Sequence, residues 1–356
     1  MKKINILTVG NSPKVNGGIT SVITQIMNYN WEEYDINMEF VPSYINKNFF
    51  INFFYFFSAY IRIIFYLICR KIDIAHIHMS YKGSFVRANI LVCLIKKFNI
   101  PVIIHLHGSE FKKWYDTLDK SQSNKVRVFL KTIDYLIVLG DKWKDSILKI
   151  EPETNVIVIK NSVKKLNFSV NWNEPVTILF LGVLIKRKGV SDLIKAYSKA
   201  VSMLEHETKL IIAGSGSEEE KLKTEVSKYN LDNRVVFTGW INGEEKNDIL
   251  KESQIMILPS YNEGLPISIL EALSIGMPVI STDVGSISEA VINEYNGYLF
   301  NPGCVEELAK LIIKIVDDKQ AWRKLSLNAQ DIASREFSEK VFFDRLNRLY
   351  KKVEKV

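Results

Sequence analysis

The stretch TILFLGVLIKRKGV, residues 177–190, contains the local pattern that decides the fold. Its apolar run Thr177–Leu181 is nearly continuous, which predicts a strand buried on both faces of a sheet. A basic turn follows the run, and a helical period then extends from Val190 to Leu204. Because parallel strands must be joined by long crossovers, usually helices, this strand–turn–helix order predicts one repeat of a parallel α/β sheet.

The same repeat recurs along the whole chain. Helical periods such as Ser84–Phe98 and Glu218–Tyr229 separate short apolar runs, and the second of these helices opens with a Ser217–Glu220 capping box. The predicted strands are Ile4–Val9, Met38–Val41, Ile72–His78, Pro101–Leu106, Tyr135–Leu139 and Val156–Ile159 in the front half, and Thr177–Leu181, Lys209–Ala213, Val235–Thr238, Ile255–Leu258, Pro278–Ser281 and Tyr298–Phe300 in the back half.

A polar segment without any period, Asn161–Pro175, interrupts the alternation and predicts a domain link. We therefore expect an α/β protein of two doubly wound, Rossmann-like domains, residues 1–165 and 170–336, facing a central cleft. Such a cleft is the default ligand site. An amphipathic helix from Glu339 to Val356 closes the chain.

Composition excludes several classes of protein. The chain has 356 residues, of which 47% are apolar and 24% charged, so it is not disordered or low-complexity. Its three cysteines, Cys69, Cys93 and Cys304, form no C-x-x-C pair, which excludes a disulfide framework and a cysteine-based zinc site and favours a reducing compartment.

The charge is unevenly spread. Up to Trp172 there are 23 Lys and Arg against 13 Asp and Glu, whereas the remainder has 24 against 27. A basic front half indicates an anionic partner, either a membrane surface or a phosphate-bearing substrate. We expect no nucleic acid as partner, because zinc-finger and RNP-like signatures and long basic blocks are all missing from the sequence.

The segment Phe49–Cys69 is unusually aromatic. It contains ten Phe or Tyr among 21 residues and a single charge, Arg62, with Lys47 before it and Arg70 and Lys71 after it. Aromatic rings suit the headgroup boundary, and flanking bases suit anionic lipid. We expect a helix partly buried in the front domain that lays aromatic edges on a membrane; an ordinary core helix and a true membrane span remain open alternatives.

Two glutamates of the back half carry the first candidate site. The sequence Tyr261–Pro266 follows a strand, and Ile267–Ile275 reads as a helix with Pro266 in its first turn. Free N–H groups at that helix start attract phosphate oxygens. Glu263 could then bind sugar hydroxyls and Glu271 ribose hydroxyls, or the reverse, with a diphosphate between them.

Two loops add phosphate-binding character. Lys186, Arg187 and Lys188 precede a helix, and three cations there are unfavourable unless an anion, such as a leaving diphosphate, is bound. After the first strand, Gly17-Gly18 allows the backbone to approach a ligand closely. The Gly17-Gly18 loop has neither the pattern of a Walker A motif nor that of a dinucleotide fingerprint.

Four histidines form two H-x-H pairs, His76 with His78 and His105 with His107. Alternate residues share one face of a strand and could bind a metal ion. Acidic partners at metal spacing and a D-x-D motif are missing from the sequence, so we expect structural or hydrogen-bonding roles for His76, His78 and His105. His107 differs, because Gly108-Ser109-Glu110 follows it at the carboxyl end of a strand, where α/β proteins bind ligands.

Together these motifs resemble family 4 glycosyltransferases of the GT-B fold, most closely those that build bacterial surface polysaccharides. The resemblance covers nearly the whole chain and is most specific in the back half. The matching motifs are Gly17-Gly18, His107–Glu110, Gly182 with Lys188-Gly189, Glu263–Pro266 with Glu271 as an E-x7-E signature, Asp283–Gly285 with Glu289, and Asn296-Gly297.

The resemblance implies the activity and the partners. It implies retaining transfer of a hexose from a nucleotide-diphosphate sugar, by default a UDP-sugar, to a lipid-linked or saccharide acceptor, without metal or another cofactor. An anionic membrane surface would be a further partner. The location implied is cytoplasmic and peripheral, on the inner face of the plasma membrane, and the helix from Glu339 would return to the front domain.

The resemblance also implies residue roles. Lys188 would hold the diphosphate, Glu271 the ribose and Glu263 the transferred sugar, and His107 would contact that sugar near its anomeric centre. The family usually has Arg where this chain has Val183, so Lys186 or Arg187 would have to replace that cation. The implied catalytic residues are His107, Glu263 and Lys188, and the implied donor-binding residues are Gly17, Gly18, Gly182, Lys186, Arg187, Lys188, Gly264, Leu265 and Glu271.

Three alternatives stay open at this stage. An epimerase or hydrolase acting on nucleotide sugars would use the same fold with acid/base residues at the sugar. A metal-dependent hydrolase would use the two H-x-H pairs. A non-catalytic scaffold would account for Val183.

Overall fold

The computed structural model describes residues 3–69 and 72–354. These residues form two compact units, which we call the front unit (residues 3–161 and 342–354) and the back unit (residues 162–341). The unit changes after Asn161, at the start of the polar segment that interrupts the sequence pattern. Residues 161–175 contain neither a helix nor a strand longer than an isolated bridge.

The front unit is built on a six-stranded sheet in the order β2-β1-β3-β4-β5-β6, with neighbouring strands parallel. Its strands are β1 (Ile4–Asn11), β2 (Ile36–Tyr44), β3 (Ile74–Met79), β4 (Val102–Leu106), β5 (Tyr135–Val138) and β6 (Val156–Val158). Its helices are α1 (Gly18–Asn28), α2 (Phe49–Cys69), α3 (Gly83–Lys96), α4 (Phe111–Tyr115), α5 (Lys120–Thr132) and α6 (Asp141–Ile150).

The back unit repeats the plan with the order β12-β11-β10-β7-β8-β9, again parallel. Its strands are β7 (Val176–Leu181), β8 (Thr208–Ala213), β9 (Val235–Gly239), β10 (Ile255–Leu258), β11 (Val279–Thr282) and β12 (Gly297–Phe300). The helices are α7 (Val190–Ala200), α8 (Glu219–Lys228), α9 (Gly243–Glu252), α10 (Ile267–Ser274), α11 (Val305–Val316) and α12 (Lys319–Glu336), and a last helix, α13 (Glu339–Glu354), begins in this unit.

Every strand predicted from an apolar run is present in the described residues, with ends shifted by no more than three residues. Two helix starts differ from the prediction. The Ser217–Glu220 capping box is wrong, because Glu218 occupies the cap of α8 and no side chain caps it. Pro266 is the residue before α10 and has extended backbone, rather than being in its first turn.

The last helix, α13, contributes its later residues to the front unit. The Phe343 ring stacks on that of Tyr29 with the centroids 3.5 Å apart, and Tyr350 is fully buried. Such aromatic burial contributes a large share of the packing energy of a small core.

Helix α2 has an unusual distribution of burial. Ala59, Ile63 and Leu67, spaced by four residues, form its buried line in the front-unit core. Among the described residues, α2 is the one helix that is long and apolar enough to cross a membrane. Only 17% of its most apolar 18-residue stretch is buried in the protein. The flanking bases Arg70 and Lys71 lie outside the described residues.

Each sheet has a topological switch point, a strand whose two neighbours are reached by crossovers in opposite directions. In the front unit this strand is β1, which lies between β2 and β3. In the back unit it is β7, which lies between β8 and β10. Parallel α/β sheets bind ligands outside the carboxyl ends of the strands at such switch points. The topology therefore places the loops after β1, β7 and β10 at candidate ligand sites.

Candidate active site

Two loops of the back unit meet at its switch point, one after β7 and one after β10. The Tyr261 N–H donates to the Arg187 carbonyl at 2.8 Å, and Arg187 Nη1 donates to the Asn262 carbonyl at 2.7 Å. These reciprocal hydrogen bonds hold the basic turn, whose Lys186–Lys188 stretch is one turn of 3-10 helix, against the Glu263 loop. The two motifs that the sequence places 75 residues apart are thus adjacent.

The centre of this site is a largely buried ion pair. Lys188 Nζ donates to Glu263 Oε1 at 2.5 Å, with side chains that are 12% and 8% exposed. Arg187 Nη1 lies 3.8 Å from the same oxygen. An ammonium group has three donors, so this bond leaves Lys188 with capacity for further oxygen ligands. Lys186 is exposed and forms no ion pair with the described residues.

Glycines allow the surrounding backbone segments to approach one another. At Gly189, which has φ of +70°, a Cβ would lie 2.0 Å from the Pro259 carbonyl oxygen. At Gly285, with φ of +59°, it would lie 1.9 Å from the Glu263 carbonyl oxygen. Neither approach is open to a residue with a side chain, so the Glu263 loop is fixed from two sides.

Three further residues predicted to bind the donor, Gly182, Gly264 and Leu265, are packed near these loops. Gly214 packs closely against Gly182, because a Cβ on Gly214 would lie 1.8 Å from the Gly182 carbonyl oxygen. The carbonyl of Gly264 accepts from the Ser286 N–H at 2.9 Å, and Leu265 is 3% exposed. Gly264 and Leu265 therefore form part of the frame around Glu263, and Gly182 lies beside Lys188, whose Cε would be 3.9 Å from a Cβ on Gly182.

The second glutamate of the predicted pair has a different environment. Glu271 is in α10 and accepts from Lys246 Nζ of α9 at 2.6 Å. Because Glu263 precedes the helix, the two carboxylates are not eight helical residues apart, and each has its own lysine partner. Sequence reasoning missed Lys246, which belongs to an ordinary charged helix and carries no signal of its own.

Tyr261 opens the Tyr261–Pro266 stretch, but the sequence pattern gave it no role. Its hydroxyl donates to Asp192 Oδ2 at 2.7 Å, joining the β10 loop to the start of α7. This hydrogen bond is the main cause that raises the pKa of Tyr261 to about 12, with burial contributing. The phenol therefore stays protonated at neutral pH and acts as a donor.

In the front unit, the Gly17-Gly18 pair lies at the switch point. Gly17 is the cap residue of α1 with φ of +137°, and Gly18 is the first residue of that helix. A Cβ on either would meet no atom within 4 Å, and the first turn of α1 contains no acidic residue. The backbone N–H groups at this helix start are thus compatible with an anionic ligand.

His76, His78, His105 and His107 form a cluster that we call the histidine stack. Parallel pairing of β3 with β4 sets His78 opposite His105. The centroids of His105 and His107 are 4.2 Å apart, and those of His76 and His78 are 4.5 Å apart. His78 Nδ1 lies 2.9 Å from His107 Nε2, and His76 Nδ1 lies 2.8 Å from the Tyr350 hydroxyl. The two histidines of each H-x-H pair lie on the same face of their strand, as predicted. The register between β3 and β4 brings the two pairs together.

Three of these residues, His76, His78 and His105, offer one nitrogen each within 4.8 Å of one another. Their ring planes are inclined to each other by 7° to 31°. Because imidazole lone pairs lie in the ring plane, stacked rings direct them side by side rather than toward one point. The rings would have to rotate to bind a metal ion at about 2.1 Å.

Burial makes the stack electrically neutral. It is the main cause that lowers the pKa of His76 and of His107 to about 3, and it lowers the pKa of His78 and of His105 well below the ordinary value. Positive charge on any one ring would also be opposed by its neighbours. At neutral pH these side chains can donate and accept hydrogen bonds but do not supply charge.

Acid is therefore expected to destabilise the protein through the stack. Below pH about 6.5 the histidines bind protons in the unfolded chain, whereas in the folded protein they stay unprotonated. The free energy of unfolding therefore falls by about 1.4 kcal/mol for each histidine with every unit by which the pH is lowered. Above pH 6.5 this contribution is constant. Urea unfolding between pH 7 and pH 5 measures the slope.

The variant His105→Leu should bind one proton fewer on unfolding, which makes the slope shallower by about 1.4 kcal/mol per pH unit. His105 is suited to this test because it is fully buried and has no hydrogen-bond partner among the described residues. Met79→Leu in β3 is the matched control, because Met79 is equally buried but does not titrate, and it should leave the slope unchanged. An identical slope in His105→Leu and the native protein would contradict the neutral state assigned to His105.

Comparisons with known proteins identify the family and the fold. A family model described as glycosyl transferases group 1 matches residues 140–332. An uncharacterised glycosyltransferase of Methanocaldococcus jannaschii is 28% identical over 70% of this chain and 67% of its own length. An amylovoran biosynthesis glycosyltransferase of Erwinia amylovora is 22% identical over 77% and 69% of the two chains.

Among solved structures, the Anabaena protein HepE in complex with UDP superposes with a TM-score of 0.77 at 17% identity, over 98% of this chain and all of that one. This structural similarity, together with the two parallel six-stranded sheets, identifies the fold as GT-B. With the family model covering more than half of its length, this chain belongs to the glycosyl transferases group 1.

Proposed function

We propose that this protein is a family 4 retaining hexosyltransferase that uses a UDP-sugar and a lipid-linked or saccharide acceptor in the assembly of a surface polysaccharide. Group membership supports transfer of a sugar, the UDP complex of HepE supports the donor, and the amylovoran relative supports the pathway class. The observation that carries the proposal is the buried Lys188–Glu263 pair at the back-unit switch point.

Lys188 is the residue we assign to the donor diphosphate. Its ammonium is oriented by Glu263 and retains donors for phosphate oxygens, and the charge stabilises the diphosphate as it leaves. Arg187 lies beside the same carboxylate and is our choice to replace the arginine that the family usually has at Val183. Lys186, which is exposed, would add a weaker long-range attraction.

Glu263 and Glu271 are assigned to the two ends of the donor. Glu263 would accept hydrogen bonds from hydroxyls of the transferred sugar, while Glu271 would accept from ribose hydroxyls and share its charge with Lys246. From the front unit we assign the Gly17-Gly18 helix start to donor phosphate and neutral His107 to the transferred sugar. Acceptor attack on the same face, with a leaving phosphate oxygen as base, would retain the anomeric configuration.

We propose that the transfer needs no metal ion or other cofactor. Lys188 and Arg187 provide at the diphosphate the positive charge that a divalent cation would otherwise supply. Full activity after treatment with a chelator, measured against an untreated sample, tests this. Loss of activity that zinc or manganese restores would contradict it and favour the metal-dependent alternative.

Incubation with radiolabelled sugar donors and a lipid extract or oligosaccharide acceptor tests the function. Stabilisation by UDP-sugars over GDP- and dTDP-sugars in a thermal melt would identify the donor. The expected product is a labelled acceptor that keeps the donor's anomeric configuration. Free sugar or an epimerised donor formed without an acceptor would instead support the epimerase or hydrolase of the same fold.

We further propose that α2 binds an anionic membrane as a peripheral anchor on the cytoplasmic face. Its buried line at Ala59, Ile63 and Leu67 holds one face in the core, and the opposite face carries exposed apolar side chains at helical spacing. The exposed side chains of this face, which we call the outer ridge, are 52% to 72% exposed. They are Phe50, Phe54, Phe57, Ile61, Phe65 and Ile68. Phe49, at the start of the helix, is 78% exposed.

The charge around the ridge favours anionic lipid as its occupant. The helix contains no acidic residue, and its single charge, Arg62, is exposed, as is Lys47 before it. A helix that is apolar on two opposite faces and packed along one of them suits the boundary between a protein and a lipid surface. This location would bring the enzyme to a lipid-linked acceptor.

The double variant Phe54→Glu/Phe57→Glu should bind vesicles containing phosphatidylglycerol at least ~10-fold more weakly, because it removes two inserting rings and adds charges that the lipid repels. Val128→Glu is the matched control, since Val128 in α5 is 54% exposed, as Phe57 is. Sedimentation with vesicles measures the change. Equal binding of the double variant, or equal binding of the native protein to neutral vesicles, would contradict the proposal.

A further inference from the structure

His107 is held in place from three sides. Its backbone N–H donates to the Met79 carbonyl at 2.8 Å, the ring of His105 stacks on its ring, and its Nε2 lies 2.9 Å from His78 Nδ1. The side chain is half-buried, and it has no hydrogen bond through Nδ1 to the described residues. His107 therefore keeps one ring nitrogen for a ligand.

The His78–His107 hydrogen bond has a direction that the surroundings determine. Both rings are neutral, so one nitrogen must donate and the other accept. His78 is 6% exposed, and its Nε2 is buried without a partner among the described residues. If His107 donated, His78 would carry its hydrogen on Nε2, as a buried N–H with no acceptor, and such orphan donors are rare.

We infer that His78 is a positioning residue for His107: by donating from Nδ1 it keeps the hydrogen of His107 on Nδ1, so that His107 offers a substrate an N–H donor rather than a lone pair. Such a donor recognises an oxygen of the sugar and needs no charge on the ring. His105 supports the ring from below and does not take part in the hydrogen bond. The inference deepens the proposed function, since it rests on His107 contacting the transferred sugar.

Labelling the histidines with 15N allows a direct test, because the chain has only five of them. Two-bond 15N–1H correlation spectra of the native protein should show His107 with hydrogen on Nδ1, and substitution of His107 assigns its signal. Hydrogen on Nε2 of His107 in the native protein would overturn the inference, whatever the activity of the enzyme.

Two variants separate positioning from packing. His78→Asn places an amide nitrogen near the site of Nδ1 and should preserve the tautomer of His107, whereas His78→Leu removes the donor and should give a mixture of tautomers. We expect His78→Leu to lower kcat about 10-fold or more with a KM for donor changed by less than ~2-fold, and His78→Asn to restore most of kcat.

The outcomes also distinguish this inference from the proposed function. An unchanged His107 tautomer in His78→Leu, or equal kcat losses in the two His78 variants, would overturn the positioning role. Absence of sugar transfer by the native protein with every donor would instead reject the proposed function, and the spectra would still decide the direction of the hydrogen bond.

Discussion

Lys188→Ala is expected to lower kcat/KM for sugar transfer about 100- to 1000-fold, the loss typical when one group that stabilises a developing negative charge is removed. The variant deletes the ammonium that we assign to the leaving diphosphate. It also removes the nearer of the two cations beside the Glu263 carboxylate, which is 8% exposed, and leaves Arg187 at 3.8 Å as the remaining counter-charge, so that the site would attract an anionic donor less strongly. Steady-state kinetics with the donor identified by thermal shift measure the effect.

The stability of the same variant provides an internal check. A buried carboxylate that keeps only the Arg187 contact at 3.8 Å should reduce the free energy of unfolding by about 1–3 kcal/mol, a range that allows for that contact and for the remaining solvent exposure. Lys188→Met/Glu263→Gln should recover most of that stability and none of the activity. Activity recovered together with stability would show that the pair only holds the loops.

Lys199→Ala is the matched control for removal of a lysine from an ion pair. Lys199 pairs with Glu306 in the same unit, but both side chains are at least half exposed. Exposed pairs contribute little, so we expect a change within about 0.5 kcal/mol and unaltered transfer. A loss like that of Lys188→Ala would mean that general charge, rather than position at the switch point, controls activity.

Gly189→Ala is expected to cost about 3 kcal/mol or more of the free energy of unfolding, and with it the geometry of the basic turn. The residue has φ of +70°, and an added Cβ would lie 2.0 Å from the Pro259 carbonyl oxygen. Backbone cannot yield as a flexible side chain can, so the β7 and β10 loops would have to separate. Chemical denaturation and donor binding measure the two consequences.

Gly239→Ala separates the clash from the backbone strain. Gly239 has nearly the same φ, +72°, but a Cβ there would meet no atom within 4 Å. Its cost should be only about 1 kcal/mol, the penalty for a side chain in the left-handed region, with donor binding unchanged. Similar losses in the two variants would show that the Gly189 approach to Pro259 is not what holds the loops together.

The elements of the fold could be predicted because each depends on local pattern. Apolar runs such as Ile255–Leu258 and the 21-residue segment Phe49–Cys69 have the same ends in the sequence prediction and in the structure. The exception at Ser217 shows the limit of local reasoning. A capping box was predicted from residue types alone, whereas the Glu218 N–H bonds to the Leu184 carbonyl, a tertiary contact that sets where α8 begins.

The candidate site was predictable only in part. The E-x7-E resemblance singled out Glu263 and Glu271, but it could not show that Lys246 pairs with the second of them, since no local period relates residues 25 apart on different helices. The basic turn offered three adjacent cations with no local reason to prefer one. Packing of the β7 and β10 loops buries Lys188 beside Glu263 and leaves Lys186 in solvent.

By itself, then, the sequence determined which residues could form strands, which side chains of a strand share a face, and where phosphate-seeking charge and glycine occur. The tertiary structure alone decided which of those groups meet. Two H-x-H pairs became one histidine stack because β3 and β4 pair in a register that sets His78 opposite His105. Sheet order and register are non-local properties, fixed by the packing of the whole unit, and so the partner of a site residue is not written beside it in the chain.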